Sequence, residues 1–227
     1  MNLLVIDTST EACAVGVSAG DRHFGRFELT PRRHTDCVLP WSEQLLADAG
    51  LSKSDLQAIG VGIGPGGFTG VRLAVSLAQG MALALNLPVL PISTLAAIAQ
   101  AQEHDGPIAV VMDARMGECY VGYFQKRDGI AQALAPEALR KPDEITLPFE
   151  GDWIGAGSAF GAYAGQLAAA FAGAMQRIDA AALPQPEALL QLAAFGFNTG
   201  MACPPEQIEP AYLRDKVALT IAERAGG

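Results

Sequence analysis

The stretch Gly64-Pro65-Gly66-Gly67-Phe68-Thr69-Gly70-Val71-Arg72 stands between two apolar runs, 58–63 before it and 71–85 after it. The first run has the length of a strand and the second the length of a helix. Glycine supplies positive φ and lets another backbone or a ligand come close, and proline presets one turn dihedral. Four glycines and a proline within seven residues therefore predict a tight strand-to-helix elbow, with Gly64, Pro65, Gly66, Gly67 and Thr69 as its structural motif.

Outward from the elbow the same alternation continues. Towards the amino terminus, 3–6, 12–17 and 22–29 read as a meander of strands, with Phe24 and Phe27 out of phase and a bend or bulge expected near Gly25. A helix over 35–49 stops at Gly50, and Ser52-Lys53-Ser54-Asp55 has the form of a capping box. Beyond the elbow comes a long helix, 69–86, then a strand at 89–92 and a helix capped by Ser93-Thr94 that reaches 102. The polar stretch 103–107 divides the chain into 1–104 and 105–227. In the second part, 108–112 runs into Asp113 as 3–6 runs into Asp7, and a strand at 119–124 follows. Further on lie a strand at 153–155, helices at 158–172 and 186–198, and a mixed tail from 204 that is read as packing back on the first lobe. Strands interleaved with helices in both parts predict an α/β fold of two similar lobes, the second reduced.

Composition limits the function. Half of the 227 residues are hydrophobic, enough for a substantial core. Lys and Arg number 15 against 24 Asp and Glu, a net charge of −9, and Arg32-Arg33-His34 is the densest basic spot. Nucleic-acid affinity comes largely from neutralising phosphates, so RNA is expected to reach this chain only through a basic partner. Cys13, Cys37, Cys119 and Cys203 form no CxxC pair, and the two that lie in apolar strand-like runs read as buried thiols, as fits a reducing cytosol. No stretch is read as approaching the roughly 20 apolar residues of a membrane span, so no membrane role and a cytoplasmic location are expected.

Catalytic groups are scarce. His23, His34 and His104 share no metal-ligand spacing, neither HExxH nor HxxxH occurs, and no acyl-transfer nucleophile stands out on a strand-to-helix elbow. A Walker loop is excluded because the elbow carries no lysine. Asp7-Thr8-Ser9-Thr10, after a strand, has the groups of the phosphate loop of actin-like ATPases and sugar kinases, with Asp7, Ser9 and Thr10 as the candidate nucleotide ligands. The matching place in the second lobe reads Asp113-Ala114-Arg115-Met116-Gly117, where that fold has a double glycine.

The long helix is apolar almost all round, with only Arg72, Ser76 and Gln79 strongly polar between 71 and 85. Gly70, Ala74, Ala78 and Ala82 recur every fourth residue, a ridge that permits close helix approach. Two readings stay open: a helix enclosed by its own domain, or one side on the sheet and the other on a partner protein. On the second reading the interface comprises Val38, Trp41 and Leu45 of the preceding helix with Gly70, Arg72, Ala74, Ala78 and Met81.

Together with the elbow, Asp7-Thr8-Ser9-Thr10, Ser93-Thr94-Leu95-Ala96, Asp113-Ala114-Arg115-Met116-Gly117-Glu118 and Pro210-Ala211-Tyr212-Leu213-Arg214 resemble the TsaB family, also called YeaZ, in order and over almost the whole chain. Gly67 stands where many members carry serine. The resemblance implies a degenerate member of the actin-like (ribonuclease H-like) ATPase superfamily, a paralogue of TsaD. TsaD transfers a threonylcarbamoyl group to adenosine beside the anticodon of tRNAs reading codons that begin with adenine. TsaD-like subunits carry an HxxxH metal pair; the corresponding helix here reads Leu95-Ala96-Ala97-Ile98-Ala99. The resemblance therefore implies a non-catalytic subunit that binds and activates the TsaD-type protein through helices of the first lobe, with a TsaE-type ATPase joining. It also implies a homodimer when alone, tRNA contact only through the complex, and no required cofactor beyond ATP or ADP at the complex interface. The alternatives are an active ATPase or kinase of the actin-like fold, and a glycoprotease-like peptidase.

Overall fold

The computed structural model describes residues 1–30, 33–171 and 173–214. Arg32 of the basic spot, Ala172 of the expected helix 158–172 and the end of the tail lie outside the described residues.

The first sheet contains β1 (Asn2–Asp7), β2 (Ala12–Ala19), β3 (Arg22–Leu29), β4 (Ala58–Gly64) and β5 (Val89–Ser93) in the order β3-β2-β1-β4-β5. The meander β1-β2-β3 is antiparallel, whereas β4 and β5 join parallel to β1. Parallel neighbours need a crossover connection, which α1 (His34–Ala49) and α2 (Phe68–Leu85) supply. Gly50 closes α1 in the left-handed conformation at φ 72°, and the capping box at Ser52 and Asp55 opens the turn that follows.

Alternation along the central strands sends Leu4 and Ile6 to the face covered by α1 and α2, and Leu3 and Val5 to the opposite face. The opposite face is covered by α6 (Pro186–Asn198), through Leu189, Leu190 and Ala193. With both faces buried, every strand position can be apolar. The two out-of-phase phenylalanines of β3 have the same cause: Phe24 packs on the α1 side and Phe27 on the α6 side. The expected bulge at Gly25 is accordingly absent, and β3 pairs with β2 without a register shift, Gly25 opposite Gly16.

The second sheet repeats the plan. β6 (Pro107–Arg115), β7 (Glu118–Arg127) and β8 (Ile130–Ala133) form an antiparallel meander, and β10 (Trp153–Ala156) and β11 (Met175–Asp179) add in parallel to β6. Its order, β11-β10-β6-β7-β8, is that of the first sheet read in reverse, with β9 (Ala138–Arg140) attached to β7. Strands β8, β9 and β11 were not expected from the sequence. The helix expected at 158–172 is broken into α4 (Ala159–Ala162) and α5 (Ala164–Ala170). These short helices stand where the first lobe has the 18-residue α2, and the place of the 16-residue α1 holds only β9 and a single turn at 142–144, so the second lobe is the reduced copy.

Helix α3 (Thr94–Ala101) follows β5 directly, capped by Ser93, whose hydroxyl accepts from the Leu95 and Ala96 amides. Its Leu95, Ile98 and Ala99 lie in the core of the second sheet with Ile108, Val110 and Phe124. The division by packing thus differs from the division at 104: α3 leans on the second lobe and α6 returns to the first. Between residues and packing stands chain length, since a helix covers whichever apolar face its connection reaches.

Helix α2 corrects the membrane reading of the sequence: its 18 residues are long and apolar enough to cross a bilayer by length and composition. Here its Val71, Ala74, Val75, Ala78 and Ala82 are buried on the first sheet.

Candidate functional site

The elbow and the β1–β2 turn meet at the mouth of a cleft of about 880 Å³ between the lobes, bounded by Ser9, Thr10, His34 and Thr69 on one side and by Asp113, Arg115 and Ser158 on the other. The Gly64–Pro65 peptide is cis, and Gly67 is the N-cap of α2. The amide of Gly67 donates to the Ser9 carbonyl at 2.7 Å, and the Thr8 hydroxyl donates to the Gly70 carbonyl at 2.6 Å. A Cβ at Gly70 would stand 1.9 Å from the Thr8 carbonyl oxygen, so only glycine permits this approach. The glycine elbow is a seat for the chain's own β1–β2 turn, and at Gly67 the turn's carbonyl already accepts the amide that a phosphate loop would offer to an anion.

Asp7 ends β1 and is 1% exposed. Its Oδ1 accepts from the Ser9 amide at 2.9 Å and from the Ser9 hydroxyl at 2.7 Å, and that hydroxyl in turn accepts from Thr94 Oγ1 at 2.9 Å. The other oxygen has no hydrogen-bond partner and lies 1.8 Å from where a Cβ of Gly62 would be, against β4. Burial pushes the Asp7 carboxyl above the usual carboxylate range, opposed by the Ser9 hydrogen bonds and by His34. The expectation of Asp7 as a nucleotide ligand is corrected on this ground: its oxygens point into the fold. Ser9 is likewise buried, and of the three candidate ligands Thr10 alone is partly accessible.

Across the cleft, Asp113 accepts from the Arg115 amide at 2.8 Å and from the Tyr163 hydroxyl at 3.1 Å, and pairs with the Arg115 guanidinium at 3.1 Å. Arg115, Met116 and Gly117 all have positive φ, of 64°, 56° and 77°. Behind the cleft, the Ser93 hydroxyl donates to Glu137, whose carboxyl is raised chiefly by burial. Among the described residues no group of three or more His, Cys, Asp or Glu side chains is placed to hold a metal ion. The cysteines are free; burial, with Cys37 adding to it, pushes the Cys13 thiol up to about 12, and burial pushes that of Cys119 up to about 11.

The interface expectation divides by helix face. Val38, Trp41, Leu45, Ala74 and Ala78 are buried in the first lobe's own core, and Gly70 is pressed on Thr8. The every-fourth-residue ridge is therefore the face that lets α2 approach its own sheet, a correction to the reading of these six as partner contacts. Arg72 is exposed and Met81 half-buried. What sequence reasoning missed is the outer face of α2: Phe68 is 48% and Leu83 62% exposed, with Ser76, Gly80 and Ala84 open between them and Leu73, Leu77 and Met81 half-buried. On α1 the outward residues include Leu39, 45% exposed, and Pro40. The available signal was the helix's all-round apolarity, which requires a second apolar face somewhere.

The family model of TsaD, tRNA N6-adenosine threonylcarbamoyltransferase, matches residues 28–222. A curated relative, the tRNA threonylcarbamoyladenosine biosynthesis protein TsaB of Escherichia coli, is 37% identical over 96% of both chains. The protein of the same name from Haemophilus influenzae is 33% identical over 96% of this chain and 95% of its own. The solved structure of YeaZ from Pseudomonas aeruginosa superposes with a TM-score of 0.85 at 38% identity, covering 93% of this chain and 99% of that one. The elbow, the paired sheets with their common strand order and these likenesses agree: the chain belongs to the TsaB (YeaZ) family, with an actin-like α/β fold.

Proposed function

We propose that this chain is a non-catalytic subunit that binds and activates a TsaD-type transferase through the outer face of α1 and α2. Membership of the TsaB family places it in the biosynthesis of threonylcarbamoyladenosine in tRNA. The observation that carries the finer reading is the exposed apolar face of α2, a helix of which only five of 18 residues, all on its sheet side, are buried. A large apolar face rimmed by polar residues marks a protein-binding surface. The same face serves the homodimer when the chain is alone, and the TsaE-type ATPase joins through the assembly. Two features support a non-catalytic role: the turn-filled elbow, and the inward-facing Asp7. The net charge of −9 supports tRNA contact through the partner.

The test is co-expression of a Leu83→Asp, Ser76→Arg variant with the TsaD-type protein. Both positions are exposed, so the melting temperature stays near that of the unchanged chain. The expected result is loss of co-purification and of the modified adenosine. A complex that survives overturns the reading. ATP turnover by the isolated chain that disappears on Asp7→Ala establishes the ATPase alternative instead.

A further inference from the structure

The last described stretch, 203–214, runs from one lobe to the other, and most of it is neither helix nor strand. It begins by covering the open edge of β5, where Val89 and Cys203 exchange backbone hydrogen bonds at 2.9 Å each. It then follows α2: the Gln79 amide group donates to the carbonyls of Pro205 and Ile208 at 3.2 and 3.1 Å, and Ile208 is buried in the first core. The Ala211 amide donates to the Ile63 carbonyl at 2.8 Å, at the end of β4. At the start of α2, Arg72 Nε donates to the Tyr212 hydroxyl at 2.7 Å while its guanidinium lies 3.7 Å from the Phe68 ring centre.

Two residues later the chain has left the first lobe. Arg214 Nη2 donates to Glu118 Oε2 at 2.6 Å and to the carbonyls of Ala114 and Arg115 at 3.2 and 3.3 Å. Those groups form the β6–β7 turn of the second lobe, the turn with three successive left-handed residues. The Arg214 side chain is 17% exposed, so this charge-assisted contact is shielded from water more than an ordinary surface pair.

The other ties between the lobes are α3, with the Ser93–Glu137 hydrogen bond at its start, and α6, which returns from β11 to the first sheet and whose Gln191 accepts from Gln100 of α3; both helices lie between the two sheets. The strap passes on the opposite side of the first sheet, along α2. Two lobes joined along one line can rotate about it; joined along two separated lines, they cannot rotate unless one gives way. We infer that 203–214 is a latch that sets the opening of the interlobe cleft, with α3 as the hinge and the docking of Arg214 on the β6–β7 turn as the contact that must break for the lobes to move. Arg72 and Tyr212 are positioning residues, since they fix the point from which Arg214 reaches across.

The experiment measures an interlobe distance by double electron–electron resonance on the full chain. Spin labels are carried on p-acetylphenylalanine at Asp48 of α1 and Glu150 of the second lobe, both exposed, so that the native cysteines stay untouched. The unchanged chain gives one narrow distance. Arg214→Ala broadens and shifts it and raises amide exchange at 115–118 about tenfold, as loss of a charge-assisted hydrogen bond requires, while exchange in β1 and β4 is unaltered. A distance and exchange pattern like those of the unchanged chain overturn the latch. So does loss of protection in both lobes together, which makes the segment part of one cooperative core. If Arg214→Ala does not fold, Glu118→Gln and Tyr212→Phe decide: a widened distance in either upholds the latch, and two narrow ones overturn it.

Discussion

Strands β1 and β6 hold the same place in the two sheets, and each carries an aspartate at its cleft end, yet the two carboxylates have opposite surroundings. Asp7 is 1% exposed, bonded by Ser9 and pushed upward in pKa by burial. The Asp113 side chain is 14% exposed and sits in an ion pair with Arg115. The first turn is seated on a glycine elbow whose Gly70 leaves room for a carbonyl; the second is a tight hairpin with Arg115 and Met116 in left-handed conformations. Common topology preserves the path of the backbone and leaves the chemistry free to diverge, because strand order follows from non-specific apolar burial while a carboxylate's charge depends on its few nearest neighbours. In both lobes those neighbours belong to the same lobe as the aspartate.

The largest contrast comes from the glycines of the two turns. Gly70→Val sets a branched side chain against the Thr8 carbonyl and costs about 3 kcal/mol or more, lowering the melting temperature by 2–4 °C per kcal/mol at roughly this chain length. Gly117→Ala in the second turn meets no neighbour within 4 Å and bears only its left-handed φ of 77°, about 1–2 kcal/mol. Equal melting temperatures for the two variants would break the distinction between a seated turn and a free hairpin.

A smaller effect separates the aspartates by pH. A folded-state pKa raised above the unfolded value contributes stability that is complete below the unfolded pKa and is lost as pH climbs through the folded one. Asp7→Asn has no proton to lose, so the gain in melting temperature of this variant over the unchanged chain grows from pH 4 to pH 8. Asp113→Asn loses the Arg115 ion pair, so at pH 7 its melting temperature falls where that of Asp7→Asn rises. Shifts of the same sign for the two would remove burial as the difference between them.

The smallest effect is a gain. Met116 occupies the first position of a two-residue hairpin turn at φ 56°, where Asn or Gly fits better. Met116→Asn stabilises by about 0.5–1 kcal/mol, measured by denaturant midpoint. A destabilised variant would show that Met116 contributes packing that its 72% exposure does not suggest.

Much of the fold was legible locally. The helix stop at Gly50, the capping box at Ser52 and the Ser93 cap are short-range hydrogen-bonding patterns written in adjacent residues. So was the elbow, and so was the correspondence of Asp7 with Asp113. The short strands β8, β9 and β11 were not, because their burial is partial and their pairing comes from the neighbouring strand more than from their own alternation. Phe24 and Phe27 misled for a related reason: two apolar phases on one strand mean either a bulge or two covered faces, and only the position of α6 chooses.

The candidate site was less legible than the fold. Gly70, Ala74, Ala78 and Ala82 share a helix face by periodicity, but periodicity is silent about which face meets the sheet when every face is apolar. Nor does any local pattern announce that Arg214 reaches Glu118, 96 residues away in the chain.

The sequence by itself determined the order of strands and helices in the first lobe, the close-approach elbow at 64–70, the excess of acidic charge and the family, since each rests on residue identity and short-range spacing. Tertiary structure alone decided that the elbow holds the chain's own turn, that Asp7 faces inward, that α2 presents Leu83 rather than Ala78 to solvent, and that the strap ends on the second lobe. Burial and charge state are properties of the surroundings of a side chain, and those surroundings are assembled from residues far apart in the chain.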